Sequence, residues 1–194
     1  MIKIVIAGFN GKMGKATTQM VLNDARFQLV GVVSRHKDVS NLNEMVEYPS
    51  IDVPVFSTKE EVVANVETDV WIDFTSPEGI YETLLFLIEN DIRPVVGTTG
   101  LTSEQLTTIQ VKSKAKGLGG LIAPNFAIGA VLMIEFAAKA AKYFPDVEIM
   151  ELHHDQKLDA PSGTAINTAQ AISKVREPKK QGHPDEKELI EGAR

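Results

Sequence analysis

Apolar residues arrive along this chain in short unbroken runs, separated by stretches with helical spacing. Residues 2–7 form a continuous β-branched run, the pattern of a strand buried on both faces of a parallel sheet. Residues 15–23 repeat with helical spacing, with Ala16, Met20 and Val21 as the expected inner face. Residues 29–33 make the next strand. Residues 41–54 read as irregular, with Pro49 and Pro54 as breakers. Ser57-Thr-Lys-Glu60 has the spacing of a capping box and opens a short helix to Val66. Residues 70–74 are a further buried strand, and Thr75-Ser-Pro-Glu stops it and starts a helix reaching Asn90. A short strand at 94–97 follows. Then Thr102-Ser-Glu-Gln105 caps a helix that runs to Lys116, and residues 120–123 are again strand-like.

The pattern changes after Phe126. Residues 128–144 read as one long apolar helix, with Met133, Phe136, Ala137, Ala140 and Ala141 expected to pack in a core. Val147, Ile149, Met150 and Leu152 then suggest a strand, and residues 165–175 another helix, with Pro161 suited to its first turn. Residues 176–194 turn polar and charged, as a long loop or loosely held tail would. Alternating strand and helix give an α/β fold, a Rossmann-like doubly wound parallel sheet over residues 1–126. Residues 127–194 are expected to form a second, α+β domain.

Composition narrows the partners. The chain has 194 residues, 43% hydrophobic and 24% charged, enough to bury a core without staples. It contains no cysteine, so it has neither disulfides nor thiol chemistry, which fits a cytoplasmic location. A net charge of −6 without a basic run argues against nucleic acid. No run approaches the roughly 18 apolar residues of a membrane span.

Two stretches carry chemistry. The first is Gly8-Phe-Asn-Gly-Lys-Met-Gly14, directly after the first strand and before a helix. That context is the one a dinucleotide fingerprint requires, although the spacing is G-x-x-G-x-x-G. After the second strand, where an acid would hold an adenosine ribose, stands Ser34-Arg35-His36-Lys37. Arg35 is either a contact for a 2′-phosphate or an incidental loop charge. The second stretch runs from Glu151 to Ala165. It offers adjacent histidines, His153 and His154, the cation Lys157, and a helix start at Gly163 and Thr164 whose bare N–H groups suit a carboxylate. Together these are the groups an enzyme acting on a small di-acid needs. The plainer alternative is a polar strand end followed by a solvated loop. Adjacent histidines on a strand face opposite ways, which disfavours a metal site.

Gly8-x-x-Gly11-x-Met13-Gly14, Gly97-Thr-Thr-Gly100, Ala123-Pro-Asn-Phe126 and Glu151-x-His-His-x-x-Lys-x-Asp-Ala-Pro-Ser-Gly-Thr164 resemble the motifs of the dihydrodipicolinate reductase family, across nearly the whole chain. The resemblance implies reduction of the C=N of a cyclic di-acid imine by NADPH or NADH, giving tetrahydrodipicolinate in diaminopimelate and lysine biosynthesis. It implies that Gly8, Phe9, Asn10, Gly11, Lys12 and Met13 hold the pyrophosphate. Arg35 then lies near the adenosine ribose or its phosphate. Phe74, Gly97, Thr98, Thr99, Ala123, Pro124, Asn125 and Phe126 line the nicotinamide side. By the same resemblance, His153 and Lys157 deliver protons, while His154, Gly163 and Thr164 bind the substrate carboxylate. A homotetramer is the assembly it implies.

The chain departs from the family pattern in places. Lys12 stands where arginine is usual, keeping the charge but losing the planar fork. Ser34 replaces the acid of many relatives, which counts against strict NADH preference. The family continues beyond position 194 with further strands, so the second domain is expected to be incomplete, with exposed edges and weakened activity or assembly. The alternative function is a truncated, catalytically weak NADPH-binding fragment. An acylating semialdehyde dehydrogenase on the same fold would need a cysteine nucleophile, which this chain lacks.

Overall fold

The computed structural model describes residues 1–35, 38–123, 125–153, 155, 160–178, 185, 187, 189 and 190. The chain divides into two compact units, Met1–Pro124 and Asn125–Arg194.

The first unit alternates strand and helix. It comprises β1 (Ile2–Ala7), α1 (Lys12–Leu22), β2 (Phe27–Val33), β3 (Val55–Phe56), α2 (Lys59–Asn65), β4 (Val70–Asp73), α3 (Ile80–Glu89), β5 (Arg93–Val96), α4 (Ser103–Ala115) and β6 (Leu121–Ile122). All six strands are parallel, in the order β3-β2-β1-β4-β5-β6. The chain winds outward from β1 to β3, returns to the other side of β1, and winds outward again. The doubly wound Rossmann-like sheet predicted from the alternation is therefore present. Its reversal point lies between β1 and β4, where such sheets take ligands at the carboxyl ends of the strands.

Alternate residues of β1 feed opposite faces. Ile4 and Ile6 pack with Val21 of α1, while Val5 and Ala7 pack with Val62 of α2 and Leu87 of α3. A third cluster joins Leu84 and Ile88 of α3, Val96 of β5 and Ile109 of α4. Each fully buried aliphatic side chain contributes about 1.5–3 kcal/mol. Helices on both faces explain why the strands read as unbroken apolar runs rather than alternating ones.

Several local expectations shift. The inner face of α1 is Gly14, Thr18 and Val21, spaced four and three apart, whereas Ala16 and Met20 are exposed. Gly14, with no side chain, lets the start of the helix lie against the Gly8–Phe9 backbone. The cap of α2 is Thr58, not Ser57. Its hydroxyl accepts from the Glu61 N–H, and Glu61 reaches back to the Ser57 N–H. The Thr102–Gln105 capping box forms with both reciprocal bonds. The region expected to be irregular, 41–54, carries a 3-10 turn at Leu42–Glu44 and buries Leu42, Tyr48 and Val53.

The second unit contains α5 (Ile128–Ala141) and α6 (Gly163–Ser173). The expected strand at 147–152 does not form. Among the described residues of this unit no strand is present to pair with it, and an extended segment without a ladder partner is no strand. Nor do the apolar residues of α5 make the expected core. Met133 is 46% exposed and Phe136 58%. Among the described apolar residues of this unit, only Ala141 and Ile172 are buried. No helix among the described residues is long and apolar enough to cross a membrane.

Candidate functional site

The glycine loop sits where β1 ends. Gly8 has φ +77°, and a Cβ there would lie 2.5 Å from the Phe74 carbonyl oxygen. Its N–H donates to the Val33 carbonyl of β2 (3.1 Å), and its carbonyl accepts from the Gly11 N–H (3.1 Å). Gly11 is the N-cap of α1 and supplies no side-chain cap. The N–H groups of the first turn are therefore left to whatever lies at the helix start. A Cβ on Gly14 would lie 2.1 Å from the Gly8 carbonyl oxygen and 2.5 Å from the Phe9 Cα. Only glycine permits that approach. The space kept clear and the unclaimed donors fit a pyrophosphate at the positive end of a helix. Phe9 itself is 1% exposed and packs in the core, so it offers this loop backbone only. Asn10, Lys12 and Met13 are exposed.

Beside this loop a cavity of about 560 Å³ is lined by Gly8, Ser34, Arg35, Ser57–Glu60, Asp73, Ser76, Glu78 and Glu82, among others. The Arg35 guanidinium donates to the Ser76 hydroxyl (3.1 Å). This contact pulls it toward the loop after β4. His36 and Lys37 lie outside the described residues.

The loops after β4 and β5 meet at Asp73. This carboxylate is 2% exposed. It accepts from the Thr75 N–H (3.0 Å), the Thr75 hydroxyl (2.6 Å), the Thr98 hydroxyl (2.9 Å) and the Trp71 indole N–H (3.2 Å). Thr98 is buried, while Thr99 is exposed and Phe74 and Gly97 are half-buried. The Ala123 N–H donates to the Val96 carbonyl (2.9 Å), which carries the ladder one residue beyond β6. The sequence reading passed over Asp73. The signal was available: a carboxylate closing a run buried on both faces must find several donors.

In the second unit a cavity of about 500 Å³ is lined by Asn125, Met133, Val147–His153, Ser162, Thr164 and Thr168, among others. Ser162 caps α6, its hydroxyl accepting from the Ala165 N–H (3.1 Å). The helix thus begins at Gly163, two residues earlier than its apolar pattern, and Pro161 lies ahead of it. Gly163 and Thr164 occupy its first turn. The Ser162 N–H donates to both oxygens of Glu151 (2.9 and 3.2 Å). Nδ1 of His153 lies 4.0 Å from the Glu151 carboxylate. Asn125 donates from Nδ2 to the Thr164 hydroxyl (3.4 Å), and its Oδ1 accepts from the Ala127 N–H (2.7 Å). Its amide therefore faces the start of α6. Pro124, His154 and Lys157 lie outside the described residues. Glu151, part of the conspicuous motif but given no role from sequence, turns out to anchor the segment before α6.

The family model for the N-terminus of dihydrodipicolinate reductase matches residues 2–126, and the model for its C-terminus matches residues 129–192. The chain belongs to the dihydrodipicolinate reductase family. A 4-hydroxy-tetrahydrodipicolinate reductase from Enterococcus faecalis is 58% identical over 195 residues, spanning all of this chain and 73% of that protein. One from Listeria monocytogenes is 50% identical over 193 residues, with the same coverage. A dipicolinate-bound dihydrodipicolinate reductase from Paenisporosarcina sp. TG-14 is 50% identical and superposes with a TM-score of 0.79, over all of this chain and 74% of that one. GenD2 from gentamicin A biosynthesis, solved with NAD, is 18% identical with a TM-score of 0.57 over 73% of this chain and 40% of its own. At that identity it shares the fold alone.

Proposed function

We propose that this chain performs the reductase reaction of its family. The reaction is NADH- or NADPH-dependent reduction of the cyclic imine 4-hydroxy-tetrahydrodipicolinate (dihydrodipicolinate) to tetrahydrodipicolinate, a step of diaminopimelate and lysine biosynthesis. The observation that carries it is that one family-matched chain has both half-sites. The first unit has a glycine loop shaped for a pyrophosphate. The second has a helix start whose first N–H groups suit an anion, with Thr164 and His153 lining one cavity.

A nicotinamide cofactor held there would supply the hydride that reduces the imine carbon. Gly8 to Met13 hold the pyrophosphate through backbone N–H groups, with Lys12 adding a point charge. Arg35 faces the adenosine ribose or its phosphate. Phe74, Gly97, Thr98, Thr99 and Ala123 to Phe126 line the nicotinamide side. Asn125 also braces Thr164 (3.4 Å). A carboxylate of the substrate is held by Gly163, Thr164 and His154. As negative charge develops on the ring nitrogen, His153 and Lys157 deliver the proton and stabilise that charge. A histidine can do this near neutral pH. The working form is a cytoplasmic homo-oligomer, a tetramer by family resemblance, which light scattering behind a sizing column tests directly.

A second reading, cofactor binding with weak catalysis, is favoured by the uncovered apolar face of α5. One titration separates them. NADPH is added in a calorimeter, and then pyridine-2,6-dicarboxylate is added to the saturated protein. Binding of both supports the reductase. Binding of NADPH alone supports the weaker reading, and binding of neither rejects both.

A further inference from the structure

We infer that Asp73 is a positioning residue, holding the loops after β4 and β5 in the arrangement that receives the nicotinamide half of the cofactor. The inference rests on the dinucleotide reading above. In a sheet of this order the adenosine half lies over β2, where Arg35 stands, and the other half crosses to β4 and β5. Asp73 closes β4 at that crossing. A carboxylate only accepts hydrogen bonds, and both of its oxygens are used. Oδ1 takes the Thr75 N–H, the Thr75 hydroxyl and the Thr98 hydroxyl, at 3.0, 2.6 and 2.9 Å. Oδ2 takes the Trp71 indole N–H at 3.2 Å. The Asp73 carbonyl also accepts the Gly97 N–H at 2.9 Å. One buried side chain thus ties two loops to each other and to the sheet. Asp73 and Thr75 also border the cavity that Gly8 and Arg35 line, but the four side-chain bonds of Asp73 end on Trp71, Thr75 and Thr98. A charge-assisted network in a dry setting fixes geometry more firmly than neutral bonds do.

An asparagine at this position keeps the shape but not the acceptor set. With its oxygen turned to the two threonines, its NH2 group confronts the Trp71 N–H. With its oxygen turned to Trp71, it confronts the Thr75 N–H. A purely structural role for Asp73 would weaken the two halves of the cofactor alike.

The test compares NADPH with its adenosine end alone, adenosine 2′,5′-bisphosphate, by calorimetry on the full chain. Asp73→Asn is expected to weaken NADPH about tenfold, the worth of one charge-assisted hydrogen bond, while the fragment changes less than about twofold. Trp71 is the single tryptophan of the chain, so a shift of its emission in Asp73→Asn marks the lost indole bond. Equal losses for NADPH and the fragment, or unchanged NADPH affinity, overturn the inference. Should Asp73→Asn fail to fold, Thr75→Val and Thr75→Ser take its place. The valine variant is expected to show the same NADPH-specific loss and the serine variant to restore affinity, and any other result overturns the inference. Wild-type protein that binds neither ligand sinks the dinucleotide reading instead.

Discussion

The two units spend their apolar residues differently. In the first, Val5, Ile6, Val32, Val62, Leu84 and Leu87 are completely or almost completely buried, with helices on both faces of one sheet. In the second, α5 is just as apolar in composition, yet Ile128 is 77% exposed and Phe136 58%. A helix acquires a core only when something covers its apolar face, and among the described residues of this unit α6 is the one helix packed on it. The first unit is therefore expected to carry most of the chain's stability, and the second to depend on whatever else it contacts.

The largest expected effect tests that contrast directly. Leu84→Ala should cost about 3 kcal/mol, the usual range for a fully buried leucine, while Phe136→Ala should cost less than about 0.5 kcal/mol, as exposed positions do. Urea unfolding read by Trp71 fluorescence for the first unit and far-UV circular dichroism for the helices gives both values. A large loss at Phe136 would mean that α5 is covered in solution.

Next come the two half-sites. If Arg35 meets a 2′-phosphate as proposed, Arg35→Ala should weaken NADPH about tenfold and leave NADH nearly unchanged. His153→Ala should lower turnover while sparing NADPH affinity. Calorimetry and steady-state kinetics separate the two, and equal cofactor losses at Arg35 would remove the 2′-phosphate contact.

Smaller are the helix caps. Thr102→Ala in the first unit and Ser162→Ala in the second each delete a hydroxyl that accepts an N3 N–H, worth about 1 kcal/mol. In hydrogen exchange, the Ser162 change should open α6 locally, whereas α4 should stay held by Ile109, which packs with Leu84, Ile88 and Val96. Matching responses would mean the two units are equally well held.

The smallest effect lies at the start of β2. Bonds from Arg26 hold the Asp24 carboxyl down at about 2, from an ordinary 3.8. A depressed folded value stabilises the fold above the ordinary value and loses that contribution as pH falls from 3.8 toward 2. Asp24→Asn should flatten the acid limb of a urea-midpoint profile while leaving neutral pH almost unchanged. The pair lies at the surface, with Asp24 half-buried and Arg26 exposed, so solvent screens it and the change is slight.

Much of the first unit was legible because strands buried on both faces are unbroken apolar runs and glycine turns leave a fixed signature. The positions of β1, β2, β4 and β5, the Thr102–Gln105 box and the glycine loop all follow from local chemistry. The strand at 147–152 was misread because alternation of apolar residues marks an extended segment only where a neighbouring strand exists to pair with it. The exposed face of α5 was misread for the same reason, since burial belongs to the partner as much as to the helix.

The sequence by itself determined the order of elements, the Gly8–Gly14 loop and the motif that ends at Thr164, since each depends on residues close together in the chain. Tertiary structure alone decided that Gly14, Thr18 and Val21 face inward, that Glu151 anchors Ser162, and that Asp73 gathers Trp71, Thr75 and Thr98. Those outcomes join residues up to 25 positions apart, and only the folding of one element against another brings their donors and acceptors within reach.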